Sequence, residues 1–194
     1  MKELQYKAQI GIEGTTPLLP HKCGLIGKPG VTTNETDYTG EWKKTVYVGQ
    51  NGTEENVLVL PSLNMEACIR DVSKGKKLGK AVLGTLVASG MEMDEFEVPL
   101  KVNGNEIIIA DVESRNWLFA CSARIGTKRV TRIRAMLPVG WKAEFNLNVY
   151  NPLLTPEIMR ALLDEAGIHV GLMDWRPAKK GKFGQFVVTK FNAK

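Results

Sequence analysis

The chain has 194 residues, 43% of them apolar and 24% charged, a balance that supports one globular domain with a real core. Its formal net charge of +5 and pI near 9.1 lean towards an anionic partner. Three scattered cysteines without CxxC and only two histidines argue against a zinc site, a disulfide framework or any other metal site. No cofactor is expected, and no apolar run reaches the roughly 18 residues of a membrane span.

The cysteine usage suits a reducing cytoplasm. Residues 1–11 alternate and lack an apolar core segment, so no signal peptide is expected. Residues 4–13 read as a strand, with Leu4, Tyr6, Ala8, Ile10 and Ile12 on one face. The segment Gly14 to Pro20 breaks it. Residues 21–38 read as a long loop, which in a compact domain is usually functional or disordered. A strand is expected over 42–48, a turn at Gln50-Asn51-Gly52, and a second strand over 57–60.

Ser62 is the expected N-cap of a helix whose apolar stripe is Leu63, Cys68, Ile69 and Val72. Residues 76–89 carry a second helical pattern, closed by Gly90. A hairpin is expected over 96–102 and 106–112 about Asn103-Gly104. Residues 117–123 read as a strand or buried turn, and 128–137 as a strand. Residues 141–149 alternate strictly, with Trp141, Ala143, Phe145, Leu147 and Val149 inward. Thr155 suits an N-cap and Pro156 the first helical position. Ile158, Leu162 and Ala166 then mark an apolar face flanked by Met159 and Leu163, and Gly167 is the expected stop. A loop rich in Gly, Lys and Arg leads to a last strand over 186–191.

With 14–61 and 76–127 set aside as two β/α insertions, the order is strand, helix, strand, strand, helix, strand. That is α+β: a single ferredoxin-like domain over 1–194, a modified RRM of βαββαβ order with an antiparallel sheet. The open face of such a sheet is an RNA platform.

Two constellations point to a polyanion. Arg124, Lys128, Arg129, Arg132 and Arg134 crowd one strand, and guanidinium forks suit phosphate. The bland alternative is a sheet edge guarded by charge. In the C-terminal loop, Arg176, Lys179, Lys180 and Lys182 interleave with Trp175 and Phe183, the pattern that stacks bases and neutralises a single strand. The alternative is two core plugs beside wet lysines. A secondary basic patch joins Arg70, Lys74, Lys76, Lys77 and Lys80, or is an ordinary solvated face.

Catalytic signals are few. No GxSxG, HExxH, Walker or triad spacing appears. His21 beside Lys22 leaves a metal-independent RNase as a minor alternative, and His169 reads as a core or edge residue. Nothing fixes the separation of Asp94-Glu95 or Asp111 and Glu113, so a metal site there is not expected.

Three stretches, YKAQIGIEGTTPLL, LVLPSLNMEACIRD and LLDEAGIHVGLMDWRPAKKGKFGQFVVTKF, together resemble the RAMP superfamily. More narrowly, they resemble the RNA-binding backbone subunit of CRISPR effector complexes and its stand-alone relatives in phages and mobile elements. The family's glycine-rich loop before the last strand matches Gly181-Lys182-Phe183-Gly184-Gln185-Phe186. The resemblance implies an RRM-like core, insertions acting as thumb or fingers, and side-by-side packing of copies along a single strand. The family's catalytic aspartate has no match here, so it implies binding of RNA or DNA without cleavage. The rival from another class is a phage or mobile-element assembly protein that uses the same fold for homo-oligomerisation.

Overall fold

The computed structural model describes residues 3–22, 38–49, 56–125 and 128–194. The expected turn at 50–52 and most of the expected loop at 21–38 lie outside them. Strand β1 (Tyr6–Gly14) follows its alternation, and Ala8, Ile10 and Ile12 are buried. The strand expected over 42–48 is instead helix α1 (Tyr38–Thr45). Trp42 and Val46, one helical turn apart, are both buried, and the Thr45 hydroxyl donates to the Trp42 carbonyl at 2.9 Å. Burial at helical spacing overrides the local β preference. Only β2 (Val48–Gly49) is extended, and it pairs with β3 (Val57–Pro61).

Helix α2 (Ser62–Ser73) buries Met65, Cys68, Ile69 and Val72. Leu63, expected on that stripe, is exposed. Extended Pro61 takes the cap position in place of Ser62, whose N–H donates to the Phe96 carbonyl at 2.9 Å. The helix expected over 76–89 is divided. A small hairpin, β4 (Lys77–Leu78) and β5 (Ala81–Val82), turns at Gly79 with φ 58°, and α3 (Leu83–Gly90) follows. Then come β6 (Met91–Met93), β7 (Glu97–Pro99), β8 (Lys101–Val102) and β9 (Asn105–Glu106). The expected hairpin turn is present, with Asn103 at φ 53° and Gly104 at φ 83°. Its outgoing strand stops early: α4 (Ile109–Ser114) begins where the Asp111 carboxylate accepts from the Ile108 N–H.

Strands β10 (Leu118–Ile125) and β11 (Lys128–Ala135) form an antiparallel hairpin, and β12 (Lys142–Val149) follows. Thr155 caps α5 (Pro156–Glu165) through the Ile158 N–H at 3.5 Å. The helix does not stop at Gly167. It continues as a π-helical turn, Ala166–Val170, to Gly171 at φ 71°. Gly167 serves close packing instead, since a Cβ there would sit 2.1 Å from the Phe186 carbonyl oxygen. A short 3-10 turn, Pro177–Lys179, precedes β13 (Phe186–Ala193).

The main sheet runs β13-β1-β12, with β6 and the β8–β9 hairpin both pairing β12 on its far side. The path β1-α2-β6-β12-α5-β13 is the ferredoxin-like order expected from the sequence. One strand differs. The fourth place belongs to Met91–Met93 rather than to residues 128–136, and β11 belongs to a separate two-stranded sheet. The segment 76–127 thus supplies three strands of the six-stranded main sheet, β6, β8 and β9, of which β6 takes the place in the ferredoxin-like order. Helices α2 and α5 cover the same sheet face through Met65, Ile69, Met159, Leu162 and Leu163. No helix among the described residues is long and apolar enough to cross a membrane.

Trp141 is fully buried, and its Nε1 donates to the Thr16 carbonyl at 2.9 Å. A Cβ on Gly14 would lie 1.9 Å from that nitrogen, so glycine is required where strand meets ring. Trp141→Ala therefore removes a core ring and a hydrogen bond. It should cost about 3–5 kcal/mol in denaturant unfolding. Cys68 lies buried beneath the π-helical turn and donates to the Gly171 carbonyl at 3.2 Å. Burial pushes its thiol up to about 12. At mildly alkaline pH Cys68 should resist alkylation until the protein unfolds, while half-buried Cys121 reacts in the native state; mass mapping of labelled peptides checks this.

Candidate nucleic-acid interface

The loop between the π-helical turn and β13 is held in an unusual backbone path. Met173, Trp175 and Lys180 have φ of 61°, 48° and 62°, alongside Gly171 and Gly184 at 71°. Each non-glycine residue in that region costs about 1–2 kcal/mol. Tertiary hydrogen bonds offset the strain. Gly184 donates to the Pro17 carbonyl at 2.8 Å, Asp174 to Leu19 at 3.3 Å, and Leu172 to Gly184 at 2.9 Å. Within the loop, Phe183 donates to Trp175 and Gly181 to Arg176. A Cβ on Gly181 would lie 1.7 Å from the Trp175 oxygen, so the turn excludes every side chain there.

The β10–β11 hairpin docks on this loop. Phe119 and Arg134 stand opposite each other in its register and so share a face. Phe119 meets Trp175 edge-on with ring centroids 5.8 Å apart, and Phe183 at 5.3 Å. Trp175 and Phe183 are themselves 6.3 Å apart. The Arg134 guanidinium lies 5.5 Å from the Trp175 ring centre and donates to Cys121 Sγ at 2.9 Å. Its Nε faces the Asp174 carboxylate at 2.9 Å, but both atoms are buried and neither makes a hydrogen bond. The contact is thus an ion pair held by charge, with the N–H turned off the line of approach. On the opposite hairpin face Ile133 and Ala135 pack on the core.

The expected site residues therefore divide. Arg134 is only 12% exposed and fastens hairpin to loop, so its fork is not turned to solvent. Arg132 is half-buried on the same face of β11, and the side chains of Arg124, Lys128 and Arg129 lie outside the described residues. Arg176 donates to the Met173 carbonyl at 3.0 Å and stands 3.9 Å from Asp71. Lys179, Lys180 and Lys182 are exposed, and among the described residues no carboxylate lies within ion-pair distance of them. Trp175 and Phe183 are partly buried, joined by a ring the sequence reading missed, Phe119.

The secondary patch adjoins the loop through Asp71, which also holds Lys74 at 2.6 Å. Arg70 pairs with Glu66 at 3.7 Å and Lys76 with Glu165, which leaves Lys77 and Lys80 exposed on the β4–β5 hairpin. The open face of the main sheet differs from a stacking platform. It bears Lys7, Gln9, Glu144, Asn146 and Asn148, and Tyr150, just past the end of β12, donates its hydroxyl to Glu92. Lys7 and Asn148 are tied to Asp94, and Asn146 to Glu95 at 2.7 Å. The Lys7 ammonium holds the Asp94 carboxyl below the usual carboxylate range. His169, expected in the core or at its edge, is exposed. Among the described residues no three His, Cys, Asp or Glu side chains are grouped to hold a metal ion.

No family model matches the chain, and no curated protein matches it in sequence. Among solved structures, the chain is similar to one in the cryo-EM structure of the Type III-B Cmr-beta complex bound to cognate target RNA. The TM-score is 0.62 at 11% identity, over 97% of this chain and 60% of that one. A Cas6 product complex matches with TM-score 0.34 at 13% identity, over 96% of this chain and 53% of that one. The chain thus spans 60% of the length of the Cmr-beta neighbour. The likeness to that neighbour is one of fold, and the ferredoxin-like architecture expected from the sequence is present.

If Arg134 and Asp174 fasten the hairpin, Arg134→Ala and Asp174→Ala should each cost about 1–3 kcal/mol. The double variant should fall short of their sum by about 1 kcal/mol, as groups in contact do. Additive costs in denaturant unfolding, with unchanged amide exchange across 118–135, would exclude the pin.

Proposed function

We infer that the chain binds single-stranded nucleic acid, RNA in the first instance, along the ridge where the β10–β11 hairpin meets the C-terminal loop. It binds without cutting, in the cytoplasm, and copies line up along the strand. The observation that carries this reading is the convergence of two segments some 50 residues apart in the chain on one cluster, Phe119, Trp175 and Phe183. Lysines 179, 180 and 182 crown it. Rings interleaved with mobile cations suit a flexible polyanion: bases stack on the rings while ammonium groups displace counterions from phosphate. A fold neighbour from an RNA-bound complex supports RNA over DNA. The groups on the ridge neutralise and stack; they hold no general base beside a nucleophile, which favours binding over hydrolysis.

Fluorescence anisotropy with a labelled single-stranded RNA, titrated across salt, tests this. Affinity should fall as salt rises, with a logarithmic slope of about −0.7 per phosphate neutralised. Replacing Lys179, Lys180 and Lys182 with Ala should reduce that slope by about 2 while leaving the unfolding midpoint unchanged. A flat salt response in the parent protein would sink the reading.

A further inference from the structure

The aromatic side of the β10–β11 hairpin does not end at Phe119. The Met136 N–H donates to the Trp117 carbonyl at 2.8 Å, so the ladder runs one pair beyond Leu118 and Ala135. Trp117 stands two residues before Phe119 and therefore on the same face of the hairpin. It is half-buried, and the Arg115 guanidinium lies over its ring, 4.9 Å from the ring centre.

The end of α4 fixes the backbone that carries this pair. Arg115 is the C-cap and Asn116 follows at φ 51°. The Asn116 N–H donates to the Glu113 carbonyl at 3.0 Å, and the Trp117 N–H to the Val112 carbonyl at 2.9 Å. These are the two bonds of a Schellman ending, with asparagine in the left-handed place that glycine usually takes. Asp111 then sets the arginine side chain. One of its carboxylate oxygens accepts from the Ile108 N–H at 3.1 Å, and the other from a terminal nitrogen of Arg115 at 3.3 Å. The guanidinium is thus held by the indole and by the carboxylate, yet the side chain is still 45% exposed. A cationic plane backed by an indole and open to solvent is a stacking partner for a nucleobase. The carboxylates beside it are neutralised within the chain, Asp111 by Arg115 itself and Glu113 by Lys43.

Two residues of strand span about 6.7 Å, roughly twice the 3.4 Å per nucleotide of a stacked strand. Neighbouring bases placed on Arg115 and on the Phe119 cluster therefore cannot stay stacked on each other. We propose that the Arg115 guanidinium, layered on Trp117, is a second stacking platform, and that it takes the base next to the one held by Phe119, Trp175 and Phe183. The proposal rests on the reading of the ridge as a single-strand site. It adds the form of strand that is taken: one whose neighbouring bases are pulled apart, each on its own platform. Arg115 touches the base in this arrangement, and Trp117 positions Arg115.

Anisotropy with a labelled single-stranded RNA, trimmed to the shortest length that binds fully, tests it. The RNA is used intact and with one base at a time replaced by an abasic ribose. Arg115→Lys keeps the charge and loses the plane. It should weaken binding of the intact RNA about 5- to 150-fold, the range for one lost stacked base, with salt slope and unfolding midpoint unchanged. Removing the base that this platform holds should cost the parent a similar factor and Arg115→Lys almost nothing. Trp117→Leu should share that indifference. Should loss of the indole unfold the protein, Arg115→Lys, at an exposed position, decides alone. Parental affinity in Arg115→Lys would make the group an ordinary phosphate cation and overturn the proposal. So would equal losses in parent and variant at every abasic position. A parent that binds no RNA, or binds it without salt dependence, brings down the reading of the ridge and this inference with it. A salt-dependent parent beside an indifferent Arg115→Lys brings down this inference alone.

Discussion

The segment from Gly14 to Leu19 is where the separate parts of this molecule are tied together. It leaves the central strand of the main sheet and has no regular structure of its own, so its backbone groups must find partners elsewhere. They find them in every neighbouring part. Gly14 and Trp141 bond across the start of β12, and Leu18 exchanges bonds with Leu137 at 3.0 and 2.9 Å just beyond the hairpin. The Thr15 N–H donates to Gln185, and the Thr16 hydroxyl accepts from Gln185 in return. Pro17 and Leu19 accept from Gly184 and Asp174 in the glycine-rich loop. The hairpin, the loop and the sheet are thus fixed to one short stretch.

That arrangement explains how a loop with three strained non-glycine residues keeps one shape. A strained backbone persists only where its surroundings over-determine it. Here Pro17 and Leu19 bond the loop from outside, its own backbone bonds close it from within, the ring cluster caps it, and the Arg134–Asp174 pair closes the remaining side. Lys179, Lys180 and Lys182 consequently stand on a stiff base, with their own freedom confined to side-chain torsions. A ligand that binds there orders side chains and no backbone, which lowers the entropic cost of association.

Much of the scaffold was legible in the sequence, for a definite reason. Strands β1 and β12 are covered on one face only, so their alternation survives in the residue order, and α5 carries its cap and stripe openly. Elements shorter than one period were not legible. Met91–Met93 is three residues long and takes its place in the sheet from its partners Leu147 and Val149. The helix at Trp42 was misread because its aromatic and β-branched residues favour strands until tertiary burial decides otherwise. At the site, interleaved cations and rings announced Trp175, Phe183 and the lysines. Phe119 and Asp174 gave no local sign, because their roles exist only once hairpin and loop meet. Arg134 looked like its neighbours in β11, and the carboxylate that fixes its role lies 40 residues away.

The outer edge of the main sheet is guarded against pairing with another strand. Strand β13 has β1 on one side and, among the described residues, no strand on the other, so its outer carbonyls and N–H groups are a template for another chain. Arg160 of α5 occupies part of that template, donating to the Val188 carbonyl at 3.1 Å while Asp164 holds its guanidinium at 2.8 Å. The β1–β13 register also slips between Gly11 and Ile12, which bends the edge and spoils its regular spacing. Both features work against open-ended pairing by strand addition.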